Sequence, residues 1–239
     1  MARTRKPEEH RAKRDDIIEA TLGLIMAKGY ERMTVADIIQ ALGISSGAFY
    51  HYFGSKPGVL DALVERIREQ SEPPLRLVVD DPELTAIEKL QGFLDVLDAM
   101  RIERRGLVID LLRVWYSDDN AVVRTRVETA TLAWRGALVG EIVSQGLAEG
   151  SFTPADPAQS GAIVVTLLQH MGDAHAGAML AFGWSDDGEA ELAETIATIH
   201  AAHMEAIERV LGMTSGALRR TDAAAVATWA RALNKTRSG

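Results

Sequence analysis

The chain has 239 residues, 47% of them hydrophobic and 25% charged, enough for one large domain or for a small domain joined to a larger one. It contains no cysteine, which excludes disulfide scaffolds, thiolate zinc sites and cysteine nucleophiles and suits a reducing cytoplasm. The net charge of −8 argues against nucleic acid only as an average: residues 1–68 carry 11 Lys/Arg against 9 Asp/Glu, and residues 69–239 carry 15 against 25. A basic end on an acidic body suggests two tasks in one chain.

In chain order, almost every periodic segment reads as helix. Ile17, Ile18, Thr21, Leu22 and Ile25 share one face, and Gly29 stands where a helix end favours a left-handed residue. Thr34 then caps a short helix with Asp37 in capping-box spacing and Val35, Ile38, Ile39 and Leu42 on its apolar side. Gly43 ends that helix. Ser45 or Ser46 caps the next, whose Phe49 and Phe53 point inward. Ser55-Lys56-Pro57 opens a fourth helix with the stripe Val59, Leu60, Leu63, Val64 and Ile67. Pro73-Pro74 and Asp80-Asp81-Pro82 punctuate the chain after it. Helices are expected over 84–104, 107–117, 120–149, 157–182 and 188–211, the last beginning after an Asp186-Asp187-Gly188 turn. An Ala-rich segment over 222–233 places Val226, Trp229 and Leu233 on one face. The fold class is all-α, with a boundary expected between 1–56 and 57–239. The best apolar run, residues 161–168, is too short to span a membrane, and the N-terminus lacks the apolar stretch of a secretory signal. A cytoplasmic protein with no membrane contact is expected.

Residues 34–53 form a short capped helix, a Gly turn and a second short helix, the layout of a helix-turn-helix whose second helix enters the DNA major groove. Ser45, Ser46, Tyr50, His51 and Tyr52 offer hydroxyl and imidazole groups to phosphates and base edges, and Gly47 and Ala48 let backbone come close. Lys56, with the amides at the next helix start, can hold a phosphate. Tyr50 and Lys56 are expected to be exposed. Taken alone, the pattern also fits an ordinary αα-hairpin with a polar surface.

The string from Tyr30 to Lys56, with Thr34, Gly43, Gly47, Tyr50 and Phe53 in place, resembles the N-terminal signature of TetR-family transcriptional repressors. The resemblance runs from about Arg14 to Ile67; beyond it only the helical count and order are similar. It implies a homodimer with recognition helices in successive major grooves, a small-molecule inducer pocket in the C-terminal body, and release of double-stranded DNA when that pocket fills. It also implies that Thr34 is both helix cap and phosphate contact, and that Gly47, Tyr50 and Lys56 face DNA. His51-Tyr52 stands where many members have Tyr-His. Ser46 departs from the pattern, because a basic residue is frequent at that position. The recognition helix therefore has no Lys or Arg for bidentate reading of guanine. The arm Arg3, Arg5, Lys6, Arg11, Lys13 and Arg14 can supplement it through phosphates or the minor groove. A disordered solubilising tail is the alternative for Arg3 to Lys6.

Other patterns carry less. Gly43-Ile44-Ser45-Ser46-Gly47 matches the G-x-S-x-G nucleophile elbow, which needs a preceding strand; here a helix precedes it, so Ser45 reads as a cap. No enzyme, cofactor or metal is expected. His170 and His175 lie with Asp173 on one helix, and His200 and His203 on another. Because His203 belongs to the stripe Leu192, Ile196, Ile199, His203, Ile207 and Val210, core or interface histidines are favoured over a metal site. Residues 157–182 and 188–211 are expected to pair across a two-fold axis through Ile196, His203 and Ile207. A ligand pocket is expected among Phe93, Met100, Asp110, Arg113, Trp115, Tyr116, Trp134 and Met171. An architectural or cell-division DNA binder on the same fold, with no inducer, is the alternative reading.

Overall fold

The structure is a computed structural model that describes residues 2–103, 112–181, 189–221, 224, 226 and 227. Its main helices are α1 (Ala2–Lys28), α2 (Val35–Leu42), α3 (Ser46–Tyr52), α4 (Lys56–Val79), α5 (Ala86–Glu103), α6 (Ala121–Glu149), α7 (Pro157–Ala181) and α8 (Glu189–Leu211), with a 3₁₀ turn at Asp118–Asn120 before α6. No strand occurs among the described residues. The expected turn at 186–188, residues 107–111 of the segment 107–117 and all of 222–233 except 224, 226 and 227 lie outside them.

Contacts divide the chain into two units, Met1–Gln70 with Arg113–Val127, and Ser71–Leu112 with Glu128–Gly239. The division therefore falls elsewhere than the 56/57 boundary read from the sequence. The Lys56-Pro57 signal marks a helix start, whereas a unit boundary depends on what each turn of that helix packs against.

In the first unit, Ile17, Ile18 and Ile25 of α1 close over Ile38 of α2, Phe49 and Phe53 of the α3 region, and Val59, Leu60 and Leu63 of α4. Phe49 is completely buried, a burial that contributes roughly 1.5–3 kcal/mol. Val123, from far along the chain, completes this core, with Trp115 and Val127 packed against it. α1 begins at Ala2, so the basic arm is helical backbone; the side chains of Arg3, Arg5 and Lys6 lie outside the described residues.

The second unit is built around Leu75, Leu90, Phe93, Leu138, Ile142, Phe152, Val164 and Ile207. α4 does not stop at Pro73-Pro74 but runs on to Val79. Each proline removes one intrahelical donor, yet the turns beyond bury Leu75 and Val79, and that burial holds the helix together. Thr85 and Glu88 form a reciprocal cap at the start of α5, the Thr85 amide donating to Glu88 at 2.9 Å. α6 and α7 approach through Gly136, Gly140 and Gly161. Val226 packs with Leu192, Ala193 and Ile196 of α8.

Candidate nucleic-acid interface

The site begins with two short helices whose ends are set by local chemistry. Thr34 has extended backbone (φ −118°, ψ 163°); its Oγ1 accepts from the Asp37 amide at 3.2 Å, while its own amide and hydroxyl both donate to Asp37 Oδ2 at 2.7 Å. Lys28 Nζ reaches the same carboxylate oxygen at 2.6 Å. These donors, Lys28 first, hold the Asp37 carboxyl down at about 2. α2 ends at Gly43 (φ 60°), whose amide donates back to the carbonyls of Gln40 and Ile39. The left-handed conformation costs glycine no steric strain, so the turn into α3 can be this tight.

Ser45 caps α3, its Oγ accepting from the Ala48 amide at 3.1 Å. That bond gives the hydroxyl its structural task, and with α2 before it the G-x-S-x-G match is a helix-turn-helix joint. α3 buries Phe49 and leaves Ser45, Ser46, Gly47, Tyr50 and His51 exposed, Tyr50 at 55%. Ala48 is half-buried. Tyr52 is half-buried: it packs against the unit's core, and the His10 ring of α1 stands 4.6 Å from it, centroid to centroid.

Lys56 is likewise half-buried rather than exposed. Its ammonium sits 4.1 Å above the Tyr30 ring and donates to the Glu31 carbonyl at 3.5 Å. The charge is thus seated on the turn before α2. Of the basic residues on α1, Lys13 pairs with Asp16 at 3.2 Å and Arg14 lies 5.1 Å above the Phe53 ring; Arg11 is exposed. The face offers hydroxyls, imidazoles and a seated ammonium. It lacks a guanidinium on the recognition helix itself.

Of the eight pocket residues, Phe93 and Met171 are buried in the second unit's core, with Met100 and Trp134 packed against it. Arg113, Trp115 and Tyr116 fall in the other unit. Residues 113–127 belong to the first unit, where Trp115 packs on its core and the Arg124 guanidinium stands 5.4 Å from the Tyr116 ring. Asp110 lies outside the described residues.

The interface residues also change. Ile196 is 7% exposed and Ile207 0% within the protomer. Ile207 therefore has no free side-chain surface within the protomer, and Ile196 has little. Ile163 of α7, 46% exposed, presents apolar surface instead. The histidines pair across helices: His170 Nδ1 lies 2.9 Å from His203 Nε2, and the His203 Nδ1–H donates to the Ile199 carbonyl at 2.7 Å. The His175 and His200 rings stack with centroids 6.5 Å apart. Among the described residues, no three His, Asp or Glu side chains converge as a metal cluster would require.

A two-helix unit with buried Phe49 and an exposed polar α3 face, on a four-helix core, is a helix-turn-helix DNA-binding head joined to a larger all-helical body. The profile for bacterial regulatory proteins of the tetR family matches residues 17–63. The chain is 27% identical to the HTH-type transcriptional repressor KstR2 of Mycobacterium tuberculosis over 149 residues, 60% of this chain and 70% of that protein. It is 25% identical to the HTH-type transcriptional regulator TtgR of Pseudomonas putida over 169 residues, 64% of this chain and 80% of that one. The crystal structure of a TetR-family regulator from Pectobacterium atrosepticum shares the fold with a TM-score of 0.53 at 18% identity, covering 84% of this chain and 96% of that one. Residues 17–63 thus carry a DNA-binding helix-turn-helix of the tetR type, and the chain is similar over its greater part to transcriptional regulators that include a repressor.

Proposed function

We propose that the protein represses transcription in the cytoplasm as a homodimer on a palindromic double-stranded operator, and leaves the DNA when a small molecule fills a site in the unit 71–112 and 128–239. The observation that carries the reading is the α3 face. Ser45, Ser46, Gly47, Tyr50 and His51 stand exposed on a helix fixed from behind by Phe49, and Lys56 follows at the start of α4. Thr34, Ser45 and Lys56 position the head on phosphates; Gly47 and Ala48 allow close approach; Tyr50 and His51 read base edges. Half-sites about 34 Å apart set the separation that two recognition helices must match.

α4 has its first part in the DNA-binding unit and its remainder in the other. A ligand that favours one arrangement of this helix shifts the population away from the operator-competent form. Full reversal requires roughly 5.5 kcal/mol of differential affinity. Met100 and Trp134, partly exposed against the core that holds Phe93 and Met171, supply apolar and aromatic surface for such a ligand.

The test starts with selection of bound duplexes from a random pool by the wild-type protein. Tyr50→Ala and Lys56→Ala should then weaken binding to the recovered duplex with thermal stability nearly unchanged. Equal binding by both variants would remove residues 45–56 from the DNA face. Trp134→Ala should abolish ligand-dependent release while leaving operator affinity intact. Release by no small molecule in a broad screen would favour the architectural reading over an induced repressor.

A further inference from the structure

The DNA-binding head is not built from residues 17–63 alone. Asn120, 1% exposed, accepts from the Tyr30 amide through Oδ1 at 2.8 Å and donates from Nδ2 to the Val114 carbonyl at 2.9 Å. The two bonds fix the orientation of the amide, since a flip would set donor against donor and acceptor against acceptor. Beside it, the Glu31 amide donates to the Asp119 carbonyl at 3.1 Å, and Arg32 pairs with the Asp119 carboxylate at 2.7 Å. The 3₁₀ turn at Asp118–Asn120 therefore clamps the turn at 30–33. That same turn carries the Tyr30 ring and the Glu31 carbonyl on which Lys56 is seated.

We infer that Asn120 is a positioning residue for DNA recognition: by holding the Tyr30–Glu31 backbone it sets where the Lys56 ammonium stands. The inference rests on residues 34–56 being the DNA face. A buried amide with both ends satisfied is costly to cut on one side, because the partner left behind is desolvated without a bond. Truncating Asn120 frees the Tyr30 amide to seek water, and the aromatic seat moves with it. Lys56 then keeps its charge and loses its place. Nothing in residues 34–56 reveals this dependence, and Asn120 lies 90 residues from the backbone it holds.

The experiment measures binding to a duplex selected on the wild-type protein, as a function of salt, for Asn120→Ala, Lys56→Ala and the double variant. Asn120→Ala should weaken binding by about tenfold and flatten the salt dependence by about one unit of slope, as loss of one phosphate contact does. The double variant should then bind hardly more weakly than Lys56→Ala alone. Val123→Ala, which thins the same core from the same segment and leaves the Asn120–Tyr30 bond in place, should lower thermal stability and keep the wild-type slope. Tyr30→Leu, which removes the ring beneath Lys56 and leaves the amide in place, should flatten the slope as well, and serves if Asn120→Ala lacks a cooperative thermal transition. A wild-type slope in Asn120→Ala, additive losses in the double variant, or an unchanged slope in Tyr30→Leu would overturn the inference. A wild-type protein that selects no duplex would instead overturn the DNA-binding assignment.

Discussion

Gly161 of α7 lies so close to Gly140 of α6 that a Cβ at Gly161 would stand 2.5 Å from the Gly140 amide nitrogen and 2.7 Å from the Gly136 carbonyl oxygen. The obstacles are backbone atoms, which cannot rotate aside. Gly161→Ala should therefore push α6 and α7 apart and destabilise the protein by about 1–3 kcal/mol, the usual cost of overpacking. Urea denaturation would show the loss as a lower midpoint at similar slope. Gly177→Ala, where an added Cβ meets nothing within 4 Å, is the control and should be neutral or slightly stabilising.

The Thr34–Asp37 cap makes a pH prediction. Asp37 is held at about 2 by Lys28 and Thr34, below its unfolded value of about 3.9. A lowered carboxylate contributes stability above the unfolded value, and that contribution is lost as pH falls through the folded one. Between about pH 4 and pH 2 the cap should weaken, and α2 should fray from its N-terminus. NMR titration of the Asp37 carboxyl should give a midpoint near 2, moved upward in Lys28→Ala. A midpoint near 4 in the wild-type protein would contradict the cap.

Glu208 is the buried anchor of the segment after α8. Its side chain is 2% exposed and accepts from the amides of Gly216 and Leu218 and from Arg220 at 2.8 Å. Burial pushes this carboxyl up, but the donors together outweigh it and hold it below the usual range. Glu208→Ala strands those donors and should cost about 3 kcal/mol or more. A drop in thermal midpoint with operator affinity per folded molecule unchanged is expected.

Assembly is tested on α7. Ile163 is 46% exposed on a helix that otherwise buries Val164, Val165 and Leu168. If that surface meets its counterpart in a second copy, Ile163→Asp should shift the protein to monomers in sedimentation at micromolar concentration and weaken operator binding. A wild-type protein that sediments as a monomer, or an Ile163→Asp variant that remains dimeric, would exclude this face.

The sequence by itself determined the helical class, the ends of α2 and α3, and which side of α3 is polar. Those features depend on signals that act within a helical turn: Thr34 with Asp37, Gly43 at positive φ, Ser45 with the Ala48 amide. It also placed Phe49 and Phe53 inward, because their spacing on a short helix leaves one apolar side. Tertiary structure alone decided that Tyr52 faces α1, that Lys56 rests on Tyr30, that Trp115 belongs to the DNA-binding unit, and that Ile196 and Ile207 are core. It likewise paired His170 with His203 across helices rather than along one. Each of these depends on which distant segment arrives at a surface, and helical periodicity marks an apolar face without naming what covers it. Asn120 is the sharpest case, since an asparagine before a helix reads locally as a turn residue, and only the arrival of the Tyr30 amide makes it part of the DNA-binding head.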